Sequence, residues 1–80
     1  MDTQSERRMR ILRFVGQYRT NYGYSPSVRD IGTAVDLPGS GVHYHLGVLI
    51  TAGLMSRENG KPRTLRLTDA GIAAITEEAQ

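Results

Sequence analysis

Apolar residues recur every three to four positions through most of this chain and alternate strictly in one short stretch, so the pattern predicts helices interrupted by a single hairpin. Met9, Leu12, Val15 and Tyr18, with Ile11 and Tyr22 beside them, form the stripe of a first helix running to about Asn21. Thr3-Gln4-Ser5-Glu6 has the form of a capping box at its start, with Thr3 covering an early amide and Glu6 reaching back, and Asn21 and Gly23 end it. Pro26 then disfavours the helical conformation at Ser25. Ser27-Val28-Arg29-Asp30 is a second capping box, opening a two-turn helix whose apolar side is Val28, Ile31, Ala34 and Val35. Asp36-Leu37-Pro38-Gly39 supplies a tight turn, with Leu37 plugging the angle between two helices. From Ser40 the helical period resumes with Val42, Leu46, Leu49 and Ile50, and Gly53 provides a left-handed stop.

Past Gly53 the period falls to two. Leu54-Met55-Ser56-Arg57-Glu58 reads as a strand, Asn59-Gly60 as a hairpin turn, and Thr64-Leu65-Arg66-Leu67 as the returning strand, with Leu65 and Leu67 inward and Arg66 outward. Thr68 caps a last short helix that starts at Asp69, carries Ile72, Ile75 and Ala79 on one side, and ends in Glu77 and Glu78. Its short length favours packing onto the first helix of its own chain; the alternative is pairing with a second copy. The expected fold is mainly α with a small β-hairpin: a three-helix core, a wing and a short C-terminal helix, arranged as a winged helix-turn-helix in one domain spanning residues 1–80.

Composition narrows the chemistry. Eighty residues leave room for one modest core and none for a second, catalytic domain, and with no cysteine the fold must stand on packing alone. No apolar run is long enough for a bilayer and Met1 to Arg10 lacks the apolar centre of a signal peptide, which predicts a cytoplasmic protein. The formal charge is only +2 with a pI near 9.4, but its distribution is uneven. The hairpin and its flanks carry Arg57, Lys61, Arg63 and Arg66 against Glu58 alone, a net charge of about +3 on one small loop. Arg7, Arg8, Arg10, Arg13 and Arg19 lie off the first helix's stripe, as phosphate ligands or simply a solvated basic face. His43 and His45 are two apart on a helix and cannot chelate a metal together, and no spacing suggests a catalytic triad, paired carboxylates or a glycine-rich phosphate loop. Neither an enzyme nor a cofactor is expected.

The helix that opens at Ser40 is the focus. Opposite its buried stripe stand Ser40, Gly41, His43, Tyr44 and Gly47, hydroxyl, imidazole and phenol groups beside small residues that permit close approach. Such a face suits the major groove of DNA, with Ser40, Gly41, His43 and Tyr44 reading bases. Ser27 and Arg29, at the start of the second helix, and Arg57, Lys61 and Arg63 of the wing would position the backbone. Taken alone, the helix favours the reading of an amphipathic core helix with a wet face, and it is the neighbouring helix, turn and wing that turn the reading to DNA; the lesser reading of the wing is a charged turn without a ligand. Two functions of different class follow. One is a DNA-binding regulator, a dimer on an inverted repeat; the other is a winged-helix module that binds a protein partner through Tyr44 or the terminal helix.

Tyr22-Gly23-Tyr24-Ser25-Pro26-Ser27-Val28-Arg29-Asp30-Ile31-Gly32, followed by Val35-Asp36-Leu37, Ser40-Gly41-Val42, Leu46 and Ala52-Gly53-Leu54, resembles the DNA-binding domain of the LexA repressor family. The resemblance covers roughly Thr3 to Leu67 and implies a winged helix-turn-helix that represses transcription by occupying an operator on double-stranded DNA. It places base reading at the start of the third helix, on Ser40, Gly41, His43 and Tyr44, in agreement with the helical wheel. The turn before Ser40 is one residue shorter than the family's, and His43-Tyr44 depart from its usual residues, so the family's operator does not carry over. LexA repressors also have a dimerising domain that cuts its own linker. Ala52-Gly53 and Ala70-Gly71 resemble the cut dipeptide, but each sits at a helix end or start, and no self-cleavage is expected. Leu67-Thr68-Asp69-Ala70-Gly71 resembles the end of the wing in MarR-like regulators, whose terminal helices often dimerise, which implies a homodimer through the C-terminal helix.

Overall fold

A computed structural model describes residues 3–59, 61 and 63–78, residue 78 for its backbone alone. Its elements are α1 (Thr3–Tyr22), α2 (Val28–Val35), α3 (Gly39–Thr51), β1 (Met55–Ser56), β2 (Arg66–Leu67) and α4 (Asp69–Glu78). The two strands pair antiparallel, Met55 opposite Leu67 and Ser56 opposite Arg66. Ile11, Leu12 and Val15 of α1, Ile31 and Val35 of α2, Val42, Leu46 and Leu49 of α3, and Met55 and Leu65 of the hairpin form one buried cluster.

Local signals explain most of the boundaries. At the start of α2 the Ser27 hydroxyl accepts from the Asp30 amide and the Asp30 carboxylate accepts from the Ser27 amide, both at 3.0 Å, a complete capping box. Asp36 ends α2 in the left-handed conformation, and both its amide and that of Leu37 donate to the Gly32 carbonyl. Leu37 itself is half-buried against the core, where it wedges α2 from α3. Gly53 has φ +79°, its amide donates to Ile50, and the Leu54 amide donates to Leu49: a Schellman closure of α3. Thr68 joins the ends of two helices, accepting from the Gly71 amide at 3.1 Å and donating to the Gly53 carbonyl at 2.6 Å.

Several details differ from the expectation. Thr3 already lies inside α1, so it is not the cap. Tyr22 leaves the apolar stripe and is 60% exposed, its ring 4.5 Å from that of Tyr18, while Phe14, outside the expected stripe, packs on the core. Ala34 is exposed rather than buried, because the eight-residue α2 presents only one narrow face to α1 and α3. The strands are two residues each, shorter than expected. The Leu65 carbonyl is taken by Arg19 Nη1 at 3.1 Å, and the Glu58 amide by the Thr64 hydroxyl at 3.0 Å, so side chains continue the pairing where the ladder stops. Leu65 nonetheless points into the core, and Leu67 is half-buried. The α4 helix packs against α1 and β2, with Ile75 on the core and Ile72 52% exposed. The expected Asn59-Gly60 turn falls partly, and Ala79 wholly, outside the described residues.

Candidate nucleic-acid interface

Burial divides α3 cleanly. Val42, Leu46 and Leu49 are buried, whereas Ser40, His43, Tyr44 and Gly47 face solvent, Tyr44 with 62% of its surface exposed. Four of the expected positions thus share one uncovered side at the start of the helix. Gly41 differs from its neighbours: it is half-buried against Leu37, so what it offers is close packing of the turn rather than a free surface. No side chain caps α3, whose N-cap is Pro38, so its first amides depend on the turn and on solvent.

His45 lies on the opposite side, 3% exposed, with Arg8 Nη1 at 3.4 Å from its Nδ1. A guanidinium can only donate, so Nδ1 accepts and the imidazole is neutral. Burial, then the Arg8 and Arg7 cations, hold its pKa below the usual histidine value. The two histidines therefore occupy different faces, and among the described residues no three His, Cys, Asp or Glu side chains are grouped to hold a metal ion. No helix among those residues is long and apolar enough to cross a membrane.

A groove of ≈ 570 Å³ between α2 and the start of α3 brings Arg29 and Thr33 beside Gly39. Ser27 is half-buried, its oxygen engaged in the cap, and Arg29 is exposed. The Asp30 carboxyl is held below its ordinary pKa, chiefly by the Ser27 amide and then by the Ser27 hydroxyl. In the wing, Arg57 is exposed and Lys61 sits 3.6 Å from Glu58 in a pair open to solvent. Arg63, with φ +59°, turns back from the hairpin: its Nη1 donates to the Ser25 carbonyl at 3.3 Å, and its guanidinium lies 5.3 Å from the centre of the Tyr24 ring. The wing is thereby fastened to the loop before α2. Tyr24 in turn sets its ring edge-on to Tyr18, centroids 5.7 Å apart, and this neighbouring phenol, then burial, raises the Tyr18 phenol above its ordinary pKa.

The arginines of α1 have duties that the helical wheel could not disclose. Besides Arg8 at His45, Arg10 Nη2 donates to the Ala34 carbonyl at 3.2 Å, near the negative end of α2, and Arg19 holds Leu65. Arg19 thus joins Arg57, Arg63 and Arg66 around a common groove. Nothing in local spacing links residues 19 and 66, so the sequence carried no signal for their meeting.

Two helices joined by a tight turn, an uncovered polar face on the second of them, and a basic hairpin alongside define a winged helix-turn-helix. The fold is shared with a solved structure of the multiple antibiotic-resistance repressor MarR from Listeria monocytogenes 4b F2365, at a TM-score of 0.74 over 91% of this chain and 48% of that one, with 19% sequence identity. The chain belongs to the LexA DNA-binding domain family, which it matches over residues 1–64. It is 46% identical over 73 residues to the LexA repressor of Bacillus subtilis (strain 168), covering 90% of this chain and 36% of that protein. It is 39% identical over 77 residues to the LexA repressor of Lactiplantibacillus plantarum, covering 95% and 37%. The chain thus spans less than two fifths of the length of these relatives.

Proposed function

We propose that this chain is the sequence-specific, double-stranded DNA-binding part of a transcriptional repressor. The α3 helix enters the major groove, where Ser40, His43 and Tyr44 read base edges and Gly41 lets the turn approach closely. Ser27 and Arg29 hold phosphates at the start of α2, and Arg57, Lys61 and Arg63 hold them along the wing. The observation that carries this proposal is the exposure of Tyr44, His43 and Ser40 on one side of a helix whose other side is fully buried. Membership of the LexA DNA-binding domain family and the repressor names of the relatives support it. The chain works in the cell interior as a single domain over residues 1–80 and pairs with a second copy through the exposed Ile72 side of α4. Two recognition helices then fall about 34 Å apart, one helical turn of DNA, or a multiple of it.

The test is selection from a random duplex library at two salt concentrations, with the mass in solution measured in parallel. A dimer enriching a palindrome is the expected result. A monomer enriching one half-site removes the α4 pairing, and weak binding without enrichment removes the DNA reading in favour of a protein partner. On the selected duplex, Tyr44→Ala is expected to cost about 1–3 kcal/mol, with little loss on random DNA. Equal losses on both would take Tyr44 out of base reading.

A further inference from the structure

We propose that the groove at the base of the hairpin is a binding site for a phosphate-type oxyanion, and that its occupant is a phosphodiester of the DNA backbone outside the segment read by α3. This rests on the DNA-binding reading above and extends it to Arg19 and Arg66, which that reading leaves out, joining them to Arg57 and Arg63 in one site. Arg19, from the last turn of α1, meets Arg57, Arg63 and Arg66 of the hairpin around an open groove of ≈ 380 Å³, whose other lining includes Tyr24 and Glu58.

Three of these arginines are positioned by neutral partners. Arg19 Nη1 donates to the Leu65 carbonyl at 3.1 Å, Arg63 Nη1 to the Ser25 carbonyl at 3.3 Å, and Arg66 Nε to the Ser56 hydroxyl at 3.2 Å. Each such bond uses one of a guanidinium's five N–H donors and neutralises none of its charge. Glu58 is the sole carboxylate among the lining residues, and it already faces Lys61 at 3.6 Å. Four guanidiniums face Glu58 and, on the side of Arg63, Asp30, which leaves the cluster net positive; an oxyanion relieves the remaining repulsion while accepting forked hydrogen bonds from groups already ordered. The neutral tethers also lower the entropic cost of binding, because the side chains are immobilised beforehand.

The geometry favours a polymer backbone over a free ion. The groove is open and three of its four arginines are exposed, so a lone phosphate would be held weakly against salt screening. Through Arg63 the groove runs on to Ser25, two residues before the Ser27 cap of α2 and close to Arg29, and a backbone can span both places and gain from each.

The variants are Arg66→Gln, at an exposed position, and Arg19→Gln/Arg66→Gln, each checked by thermal melting. Affinity for the selected duplex is measured against salt, with the duplex trimmed to its site or extended by about one helical turn on either side. Arg66→Gln is expected to flatten the log–log salt slope by up to about one unit, and the double variant by about one to two. One unit corresponds to a roughly fourfold smaller loss of affinity between about 50 and 200 mM salt. Both variants should keep the preferred sequence, and the double variant should lose the gain from flanking DNA. An unchanged slope and an unchanged flank effect in both variants, with sequence selection intact, would overturn the groove and leave the DNA reading standing. Failure of the unmodified chain to select any sequence overturns that reading instead. Titration of inorganic phosphate, followed through the arginine Nε–H resonances, separates the sources: saturation below millimolar with no effect of flanks assigns the site to a free anion and overturns the backbone assignment.

Discussion

Gly32 is where the helix-turn-helix angle is set. A β-carbon there would lie 2.6 Å from the Leu37 carbonyl oxygen, because the turn folds its backbone directly over the last turn but one of α2. The carbonyl of Gly32 itself accepts the amides of Asp36 and Leu37, the latter at 2.9 Å, so the turn cannot move away without straining its own closure. Substituting Gly32→Ala requires a displacement of roughly 1 Å to reach ordinary contact. Overpacking of this kind costs about 1–3 kcal/mol, and loosening the turn's hydrogen bonds adds about 1 kcal/mol. Against this, alanine gains up to about 1 kcal/mol over glycine in a helix interior. The net loss is about 1–3 kcal/mol, or a melting temperature lower by about 4–24 °C for a domain of this size. Gly47 is the internal control. A β-carbon there meets nothing within 4 Å, so Gly47→Ala is expected to gain roughly 0.5–1 kcal/mol from propensity alone. Urea titrations of the two variants beside the parent, read by far-ultraviolet circular dichroism, measure both. A Gly32→Ala protein as stable as the parent, or as stabilised as Gly47→Ala, would refute the close-approach argument.

Two further outcomes follow from local chemistry. His45 binds a proton less readily in the folded chain than in the unfolded one, so the unfolded state takes up more protons below its ordinary pKa of 6.5. Its contribution is therefore full above that pH and lost as pH falls below it; Asp30, whose folded pKa also lies below its ordinary 3.8, adds a second loss at still lower pH. Urea midpoints followed from pH 8 to pH 3 are expected to fall in these two windows, and His45→Gln should remove the first while leaving the second. Ser27→Ala removes one half of the capping box and is expected to cost about 1 kcal/mol, seen in thermal melting as an earlier transition without loss of the fold.

Much of the architecture was readable along the chain because its causes are local. The Ser27–Asp30 box, the left-handed Gly53, the change of period past Gly53 and the stripe of Val42, Leu46 and Leu49 each act within a few residues, and all four stand in the structure, the strands alone shorter than the pattern put them. The exposed start of α3 followed from the same stripe, since burying one side of a helix leaves the other free. Helical ends were less legible: Tyr22 fits the stripe by spacing, yet α1 outruns the core beneath it, and the ring turns to Tyr18 instead.

The arginines divide what sequence and tertiary structure decided. Sequence determined that basic charge gathers on the hairpin and leaves the α4 end acidic, because that is a matter of residue identity. Only the folded chain decided that Arg8 stands over the buried His45, that Arg63 turns back onto Tyr24 and Ser25, and that Arg19 reaches the hairpin across 46 residues of chain to hold Leu65. A long flexible cation on a helix surface has no intrinsic preference among such partners. Its choice depends on which carbonyl or ring the packing of other elements leaves unsatisfied within reach, and that is settled when α1, the turn and the hairpin close on one core.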